Sequence, residues 1–515
     1  MSLSQAIDKS FLFWALGLFL GLGIIWFLPW RFQTNDDVMM MWLVSGAYTG
    51  ESEPYAVFIH PWLSWSFSKI YGLIPETNWY GLTWFSVNFL SAFLLLKKVW
   101  ISAFPKIQKH FWSLVIWLIS FHFAFFPQFT LIAGLAALAG LLKVFDTKSK
   151  GFNTLGYVVL FMSFSIRFEA AVLVGLGWTW FILVFQRQKV LSLFKPLIFT
   201  FSVAAFLFVG KWGYEKLCVD QEYLDFNKAR SGVHDHPVFF HEMQDDLIPQ
   251  DSDWFYFGRW IYEELPISTG DLIEKERQLN QKLYSGKAII DGFRRIFQIQ
   301  SMELFKSLLI VLLLTSFLIS KLTLQRKVIF IAVWISFFLV FNHFNMLYGR
   351  VNILFFLILI FPCFDAERLN ISNLLLKISL AALVGLFSLH ILNFHNEMKR
   401  REKINENLTK IFKEQQITSP IYFEDIMEYH FTDHYSQNRP VPFISSVWIS
   451  RSSMQEKAYE LRGFARQSEL KEFYLLSFQS PEPLIFPDYM NRISPGFQLR
   501  SKQVSANLIL LHYKQ

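Results

Sequence analysis

Apolar residues in this chain occur in long blocks, many of which are long enough to cross a lipid bilayer as a helix. About eleven such blocks precede residue 395, at residues 11–30, 79–96, 111–126, 129–142, 155–165, 170–185, 191–210, 302–320, 328–344, 351–364 and 374–394. A soluble core does not require apolar runs of this length. The pattern therefore predicts a polytopic α-helical membrane protein with about eleven transmembrane helices.

The composition supports the same class. Hydrophobic residues make up 53% of the 515 residues and charged residues only 17%, too few to cover the surface of a soluble protein of this size. The first block ends in Trp26, Pro29 and Trp30 rather than in small residues, so it predicts an uncleaved span instead of a signal peptide. The two cysteines, Cys218 and Cys363, lie far apart and predict neither a disulfide framework nor a metal site.

The net charge of +7 comes from short basic clusters between the blocks, which predicts membrane topology rather than a nucleic-acid partner. The clusters are Lys97, Lys98, Lys106 and Lys109; Lys143, Lys148 and Lys150; Arg187, Lys189 and Lys195; Lys321, Arg326 and Lys327; and Arg368 with Lys377. With eleven spans and a cytoplasmic N-terminus, all of them face the cytoplasm. Residues 31–78, residues 211–301 and the C-terminal tail are then extracytoplasmic, in a multi-pass protein of the inner or plasma membrane.

The tail changes character at Asn396, where charges become frequent and spanning blocks end. A polar helix is expected over residues 397–415 and short strands over 421–423, 473–476 and 507–512. We therefore expect two parts: a transmembrane module of residues 1–395, and a small extracytoplasmic α/β domain of residues 396–515.

Ionisable residues at the extracytoplasmic ends of spans are the first candidates for a site, since charges near the membrane are costly unless they are paired or used. Asp36 and Asp37 follow the first span and suit a general base or a metal ligand; an N-cap with acids in the first helical turn is the structural alternative. The segment beyond, through Tyr48 to Trp62, is aromatic and amphipathic and is expected to lie along the membrane surface, and its His60 is a further candidate for substrate binding.

Two further short connections carry charge. Arg167 and Glu169 are too close in sequence for the usual pairing along a helix face, and neighbouring loops are expected to satisfy them if they do not serve a site. His343, Tyr348 and Arg350 lie between the ninth and tenth spans. An arginine among such polar residues suits a phosphate group, with snorkelling to lipid headgroups as the alternative.

The long external segment adds Lys228 and Arg230 as candidate phosphate contacts. The run from His234 to His236 resembles a metal motif only weakly, and a solvated loop is expected there. The aromatic residues 254–257 and Trp260 predict an interfacial helix or a lipid-contacting flap.

This layout resembles the GT-C superfamily of membrane glycosyltransferases, which use polyprenyl-phosphate-linked sugar donors. The resemblance lies in the acidic pair Asp36 and Asp37 after the first span, the amphipathic first external loop, the many-span core, the long later loop and the external C-terminal domain. It implies inverting hexosyl or pentosyl transfer to a glycan, lipid or protein hydroxyl, with a first-loop aspartate as base and arginines on the lipid phosphate. The resemblance leaves a divalent metal ion open as a cofactor.

Three alternatives remain at this stage: a lipid-linked glycan polymerase or ligase, a secondary transporter, and a non-catalytic scaffold. A transporter is expected to have two similar halves with ionisable residues near the membrane centre. Here the halves differ and the charges sit at the ends of spans.

Overall fold

The computed structural model describes residues 8–146, 154–187, 193–414, 419–424, 434–478, 484–505 and 508–515. Lys148, Lys150, Lys189 and Asn507, which entered the predictions above, lie outside these ranges.

Each predicted apolar block falls on a helix. These helices are α1 (Lys9–Trp26), α4 (Trp79–Ile101), α5 (Lys106–Phe125), α6 (Phe129–Val144), α7 (Thr154–Ile166), α8 (Phe168–Phe185), α9 (Phe194–Cys218), α15 (Leu304–Ile319), α16 (Leu324–Phe344), α17 (Gly349–Leu357) continued by α18 (Ile360–Ala366), and α19 (Asn373–Glu414). By length and composition, seven stretches within the described residues are long and apolar enough to cross a membrane, or eight if α15 and the helix before it, α14 (Gly286–Met302), form one bent span. The chain is thus a multi-pass membrane protein, and the count of eleven spans stays a prediction.

Helix α6 lies at the centre of the bundle and is buried along nearly its whole length. Its sequence is rich in alanine, glycine and leucine, which lets neighbouring helices approach closely. A Cβ at Gly134 would lie 2.2 Å from Leu354 of α17, and one at Gly140 would lie 3.1 Å from the carbonyl oxygen of Gly156 in α7. These small residues fix α17 and α7 directly against α6.

The first predicted external loop contains α2 (Asn35–Ser45) and α3 (Pro61–Leu73), and the second contains α10 (Gln221–His234), α11 (Pro237–Gln244), α12 (Asp253–Gly258), α13 (Thr269–Lys282) and α14 (Gly286–Met302). The C-terminal part adds α20 (Ser453–Glu460), α21 (Phe486–Ile493), β1 (Ile421–Phe423), β2 (Glu472–Phe478), β3 (Gln498–Ser505) and β4 (Leu508–Lys514). We call these elements together the outer layer.

The C-terminal sheet has the strand order β1-β2-β4-β3. Strands β1 and β2 are parallel, whereas β4 pairs antiparallel with both β2 and β3. The described strands match the three predicted ones, and β3 was not predicted. The expected domain boundary at residue 396 falls inside the 42-residue helix α19, which runs from its apolar part into the outer layer without a break.

The three segments predicted to be external contact one another. Tyr48 of the first loop donates to the carbonyl oxygen of Ser445 at 3.3 Å, and Tyr223 of the second donates to that of Trp448 at 3.1 Å. Arg451 donates to the carbonyl oxygens of residues 262, 263, 265 and 267. These contacts place all three segments at one end of the bundle.

Two predictions about membrane contact are wrong. Leu43, Val44, Ala47 and Tyr48 of the segment expected at the membrane surface are fully buried, and Tyr48 contacts the C-terminal part instead of lipid. In the aromatic run 254–257, Tyr256 and Phe257 are buried in a core shared with the C-terminal sheet, and Tyr256 lies against Tyr489 at 6.1 Å between ring centroids. An aromatic face can pack on protein as readily as on lipid.

A reporter fused after Gln515 tests the sidedness. With eleven spans and a cytoplasmic N-terminus, a C-terminal alkaline phosphatase should be active and a C-terminal fluorescent protein that matures only in the cytoplasm should be dark. Because the first loop, the second loop and the C-terminal part contact one another, the reverse pattern would mean that the whole protein is inverted, with its N-terminus outside and its outer layer in the cytoplasm.

Candidate functional site

The acidic pair opens helix α2, and its two carboxylates lie in different surroundings because successive helical side chains point about 100° apart. Asp37 is fully buried. It accepts hydrogen bonds from the Tyr80 hydroxyl and the Trp84 Nε1–H, both at 3.0 Å, and from the Phe129 backbone N–H at 3.2 Å. The Thr34 hydroxyl donates to its second oxygen at 3.2 Å. Asp37 thereby ties the start of α2 to α4 and to the start of α6.

Burial raises the pKa of Asp37 to about 7, although the hydrogen bonds from Trp84, Tyr80 and Phe129 oppose that rise. The donors around it are neutral groups, so no nearby cation compensates its charge directly. Its contacts are those of a group that holds the backbone in place.

Asp36 points away from this cluster and lines a cavity of about 810 Å³ between the bundle and the outer layer. One of its oxygens lies 3.2 Å from Nη1 of Arg350, at the start of α17. Both side chains are partly exposed within the cavity. A carboxylate and an arginine 314 residues apart in sequence are thus brought together at the inner end of the outer layer.

Both polar and apolar side chains line the cavity. The polar ones come from the first loop, the start of α8, α10, α11, the residue after α12 and the segment that leads into α17, namely Thr34, Asn35, Asp36, Arg167, Glu169, Arg230, Ser231, His234, Asp235, Gln244, Arg259, Asn345, Tyr348 and Arg350. Leu173 of α8, Phe341 of α16 and Leu354 of α17 are among the apolar ones. This cavity is therefore amphipathic and reaches between membrane helices.

Tyr348 contacts two charged groups that line the cavity. Its hydroxyl donates to Asp235 at 2.7 Å, and the Arg350 guanidinium lies 4.9 Å from its ring centroid. Burial alone would raise the pKa of Asp235, but Arg230 and the hydroxyls of Tyr348 and Ser231 hold that pKa below its usual value. Asp235 is therefore a charged group of the cavity wall.

Arg230 on α10 is 2% exposed and lies with its guanidinium 4.8 Å from the ring centroid of Trp260. Its Nε donates to Asn227 at 2.9 Å, whereas its Nη1 has no hydrogen-bond partner among the described residues. Trp260 itself has a left-handed backbone with φ of +66°, an uncommon conformation for a large residue. A buried guanidinium with an unused donor beside a cavity is suited to an anion.

Arg167 and Glu169 both line the cavity, and they pair with each other, with Nε 2.9 Å from the carboxylate. As predicted, they do not pair across a helix face at the usual spacing. Arg167 is the extended N-cap residue of α8, with φ of −153°, so helical spacing does not apply to it. Its guanidinium also lies over the rings of Phe58 and Phe129 at 5.3 and 5.4 Å.

Besides Asp37, three predicted site residues do not line the cavity. Lys228 is exposed on the outer side of α10, two residues from Arg230. His60 caps α3 through its Nδ1, and its Nε2 contacts the carbonyl oxygen of Leu207 at 2.9 Å. His343 packs against Phe344 near the end of α16.

The segment His234 to His236 is not a solvated loop. It ends α10 and begins α11, where His236 is buried and accepts a hydrogen bond from the Val238 N–H at 3.1 Å. Among the described residues, no three His, Cys, Asp or Glu side chains are grouped to hold a metal ion. A metal therefore stays an untested expectation, and the chemistry below uses none.

Sequence reasoning missed Trp260 and Arg259 as cavity residues, because the aromatic run beside them was assigned to lipid. It also missed Asp235, which was grouped with a solvated loop. Their only sequence signal is the density of polar and aromatic residues between 225 and 260.

Neither the scan against protein-family models nor the search of curated proteins found a match to the chain. Two solved structures align over 98% of this chain and 98% of theirs: ArnT from Cupriavidus metallidurans in the apo state, with 12% identity and a TM-score of 0.41, and the same protein bound to undecaprenyl phosphate, with 11% identity and a TM-score of 0.39. At these TM-scores the structural similarity does not support an argument about function. The function is therefore inferred from the geometry of the site.

Proposed function

We propose that this protein is a membrane glycosyltransferase of the GT-C type that moves a sugar from a polyprenyl-phosphate donor to an acceptor hydroxyl outside the cytoplasm. The observation that carries the proposal is the amphipathic cavity of about 810 Å³. It combines a partly exposed carboxylate, several arginines and apolar side chains that belong to membrane helices.

The apolar side chains Leu173, Phe341 and Leu354 suit the polyprenyl chain, since they belong to helices of the bundle. The polar side chains of the cavity then receive the phosphate and the sugar. Arg230 supports this placement most directly, because it is buried and keeps an unused donor. Arg350 supplies further donors beside Asp36.

Asp36 is proposed as the general base. It removes the proton of the acceptor hydroxyl as that oxygen attacks the anomeric carbon, and the bond from this carbon to the phosphate oxygen breaks. The electron pair of the broken bond stays with the polyprenyl phosphate, whose added charge the arginines stabilise. Attack opposite the leaving group inverts the anomeric configuration.

The partners implied are a polyprenyl-phosphate-linked hexose or pentose and a glycan, lipid or protein acceptor. A transporter would require the donor to cross the membrane intact, and a scaffold would not consume it. The carboxylate beside an arginine in a water-accessible cavity favours group transfer over both.

Purified protein in nanodiscs, given labelled polyprenyl-phosphate hexose and pentose together with extracted envelope acceptors, should release polyprenyl phosphate and transfer the label. Magnetic resonance of the product should reveal the opposite anomeric configuration from the donor. If the protein bound both lipid-linked donors and the acceptors but released no polyprenyl phosphate, the proposal would be contradicted.

A further inference from the structure

Helix α14 is an amphipathic helix that joins the apolar helix α15 at an angle of 103°. The sequence predicts a membrane span over residues 302–320, the stretch that α15 occupies, so this bend directs α14 along the membrane surface. Sequence analysis did not single out this helix within the segment 211–301.

One face of α14 is apolar and uncovered. Ile290, Phe293 and Phe297 are 68%, 60% and 75% exposed, and they recur at the spacing of one helical face. Arg294 and Lys287 border this face and pair with Asp245 at 3.1 and 3.6 Å. Large side chains exposed in a row beside basic residues fit the boundary between acyl chains and headgroups.

A different face of α14 holds the end of α16. Arg295 is 2% exposed, and its Nε donates to the Asn342 side chain at 3.0 Å while its Nη2 donates to the carbonyl oxygen of the same residue. The Asn342 amide donates back to the carbonyl oxygen of Gly292 at 3.0 Å. These bonds fix residue 342 to α14.

The corner between α14 and α15 holds the start of α17. Gln300 donates to Asn352 at 3.2 Å. The Glu303 carboxylate lies so close to Gly349 that a Cβ there would be 1.9 Å from it, and Lys306 pairs with that carboxylate at 3.0 Å. Both ends of the segment 342–352, which carries Tyr348 and Arg350 into the cavity, are thus attached to α14 or its corner.

We infer that α14 is a lipid-contacting anchor that seats in the outer leaflet and thereby holds the segment 342–352 in its cavity-lining position. The partner is the bilayer surface itself. This inference concerns membrane contact and loop order, so it goes beyond the proposed function and does not depend on it.

Membrane contact is tested by spin labels in nanodiscs, in a Cys218→Ser background that leaves only the buried Cys363. A label at Phe297→Cys should be relaxed more by oxygen than by a water-soluble nickel complex, and one at Arg294→Cys should show the opposite. Equal, water-like accessibility at both positions would overturn the membrane contact.

The coupling between α14 and the segment 342–352 is tested by amide hydrogen exchange in the triple variant Ile290→Ser/Phe293→Ser/Phe297→Ser. Exchange at residues 345–350 should accelerate at least about tenfold, while amides of α20 keep their rate. The control is Leu217→Ser, which removes an exposed apolar side chain from α9 and should change the exchange rate neither at residues 345–350 nor in α20. Unchanged exchange at 345–350 would overturn the coupling. If the triple variant does not accumulate, Phe297→Ser alone is compared in the same way.

These readouts do not use sugar transfer. If the triple variant lost the order of residues 345–350 and the wild type transferred no sugar, only the proposed function would be contradicted. If the wild type transferred sugar and exchange in the triple variant were unchanged, only the anchor would be contradicted.

Discussion

Replacing Asp36 by asparagine should lower the rate of sugar transfer by about 10²–10⁴-fold, because the acceptor hydroxyl then loses its general base. The same substitution at Asp37 should cost less than about tenfold. The neighbouring acids thus form a matched pair, in which one carboxylate lines the cavity and the other does not. Initial rates with labelled donor in nanodiscs measure both variants.

The small effect expected of Asp37→Asn follows from the hydrogen-bond donors that surround this side chain. An asparagine oxygen can still accept from Tyr80, Trp84 and the Phe129 N–H, and its amide can donate to the Thr34 hydroxyl, which rotates to accept. Asp37→Leu, by contrast, leaves these donors without an acceptor, and a buried donor without a partner costs about 1–3 kcal/mol. That variant should accumulate poorly.

The pH dependence of stability offers an independent control. Burial raises the pKa of Asp37 to about 7, above its unfolded value of 3.8. The folded protein therefore binds the proton more tightly than the unfolded chain, and its stability should increase as the pH falls through 7. Asp37→Asn should lack this component of the melting-temperature profile. If Asp37→Asn abolished transfer in a normally folded protein while Asp36→Asn did not, the two roles would be exchanged.

Much of the helical layout could be predicted from sequence because hydrophobic blocks and charge changes are local properties. Each block from residue 11 to residue 394 corresponds to a helix, and the short strands beginning at 421 and 473 were found by the same reasoning. The sequence did not predict whether each apolar face packs against lipid or against another part of the protein. Trp254 to Phe257 would present the same pattern to lipid as to the C-terminal sheet, so only the tertiary structure decides.

The site was predictable in its residue types and not in its pairings. Asp36, Arg230, Tyr348 and Arg350 were named from sequence and line one cavity. Which of the two acids faces that cavity depends on Tyr80, Trp84 and Phe129, which lie 43 to 92 residues further along the chain. Similarly, Lys228 and Arg230 differ only in the face of α10 on which they fall, and one face packs against Trp260.

The buried position of Arg230, in contrast to the exposed position of Lys228, leads to the second large effect that we expect on sugar transfer. Arg230→Gln should lower kcat/KM for the lipid-linked donor by about 10²–10³-fold, the loss typical of removing a preorganised donor from a developing anion. Lys228→Gln, a cation removed from the exposed side of the same helix, should change it less than about twofold. Arg230→Lys should be intermediate, because an ammonium keeps the charge and loses the planar guanidinium.

The separate effects of Arg230→Gln on kcat and on KM identify the role of Arg230. The donor phosphate carries one negative charge and gains a second as it leaves, so Arg230 stabilises the transition state more than the ground state. Arg230→Gln should therefore lower kcat and also raise KM for the donor, whereas a purely structural loss would reduce the amount of folded enzyme and leave KM unchanged. Equal effects of Arg230→Gln and Lys228→Gln would mean that long-range charge, rather than the buried guanidinium and its free Nη1, accounts for donor binding.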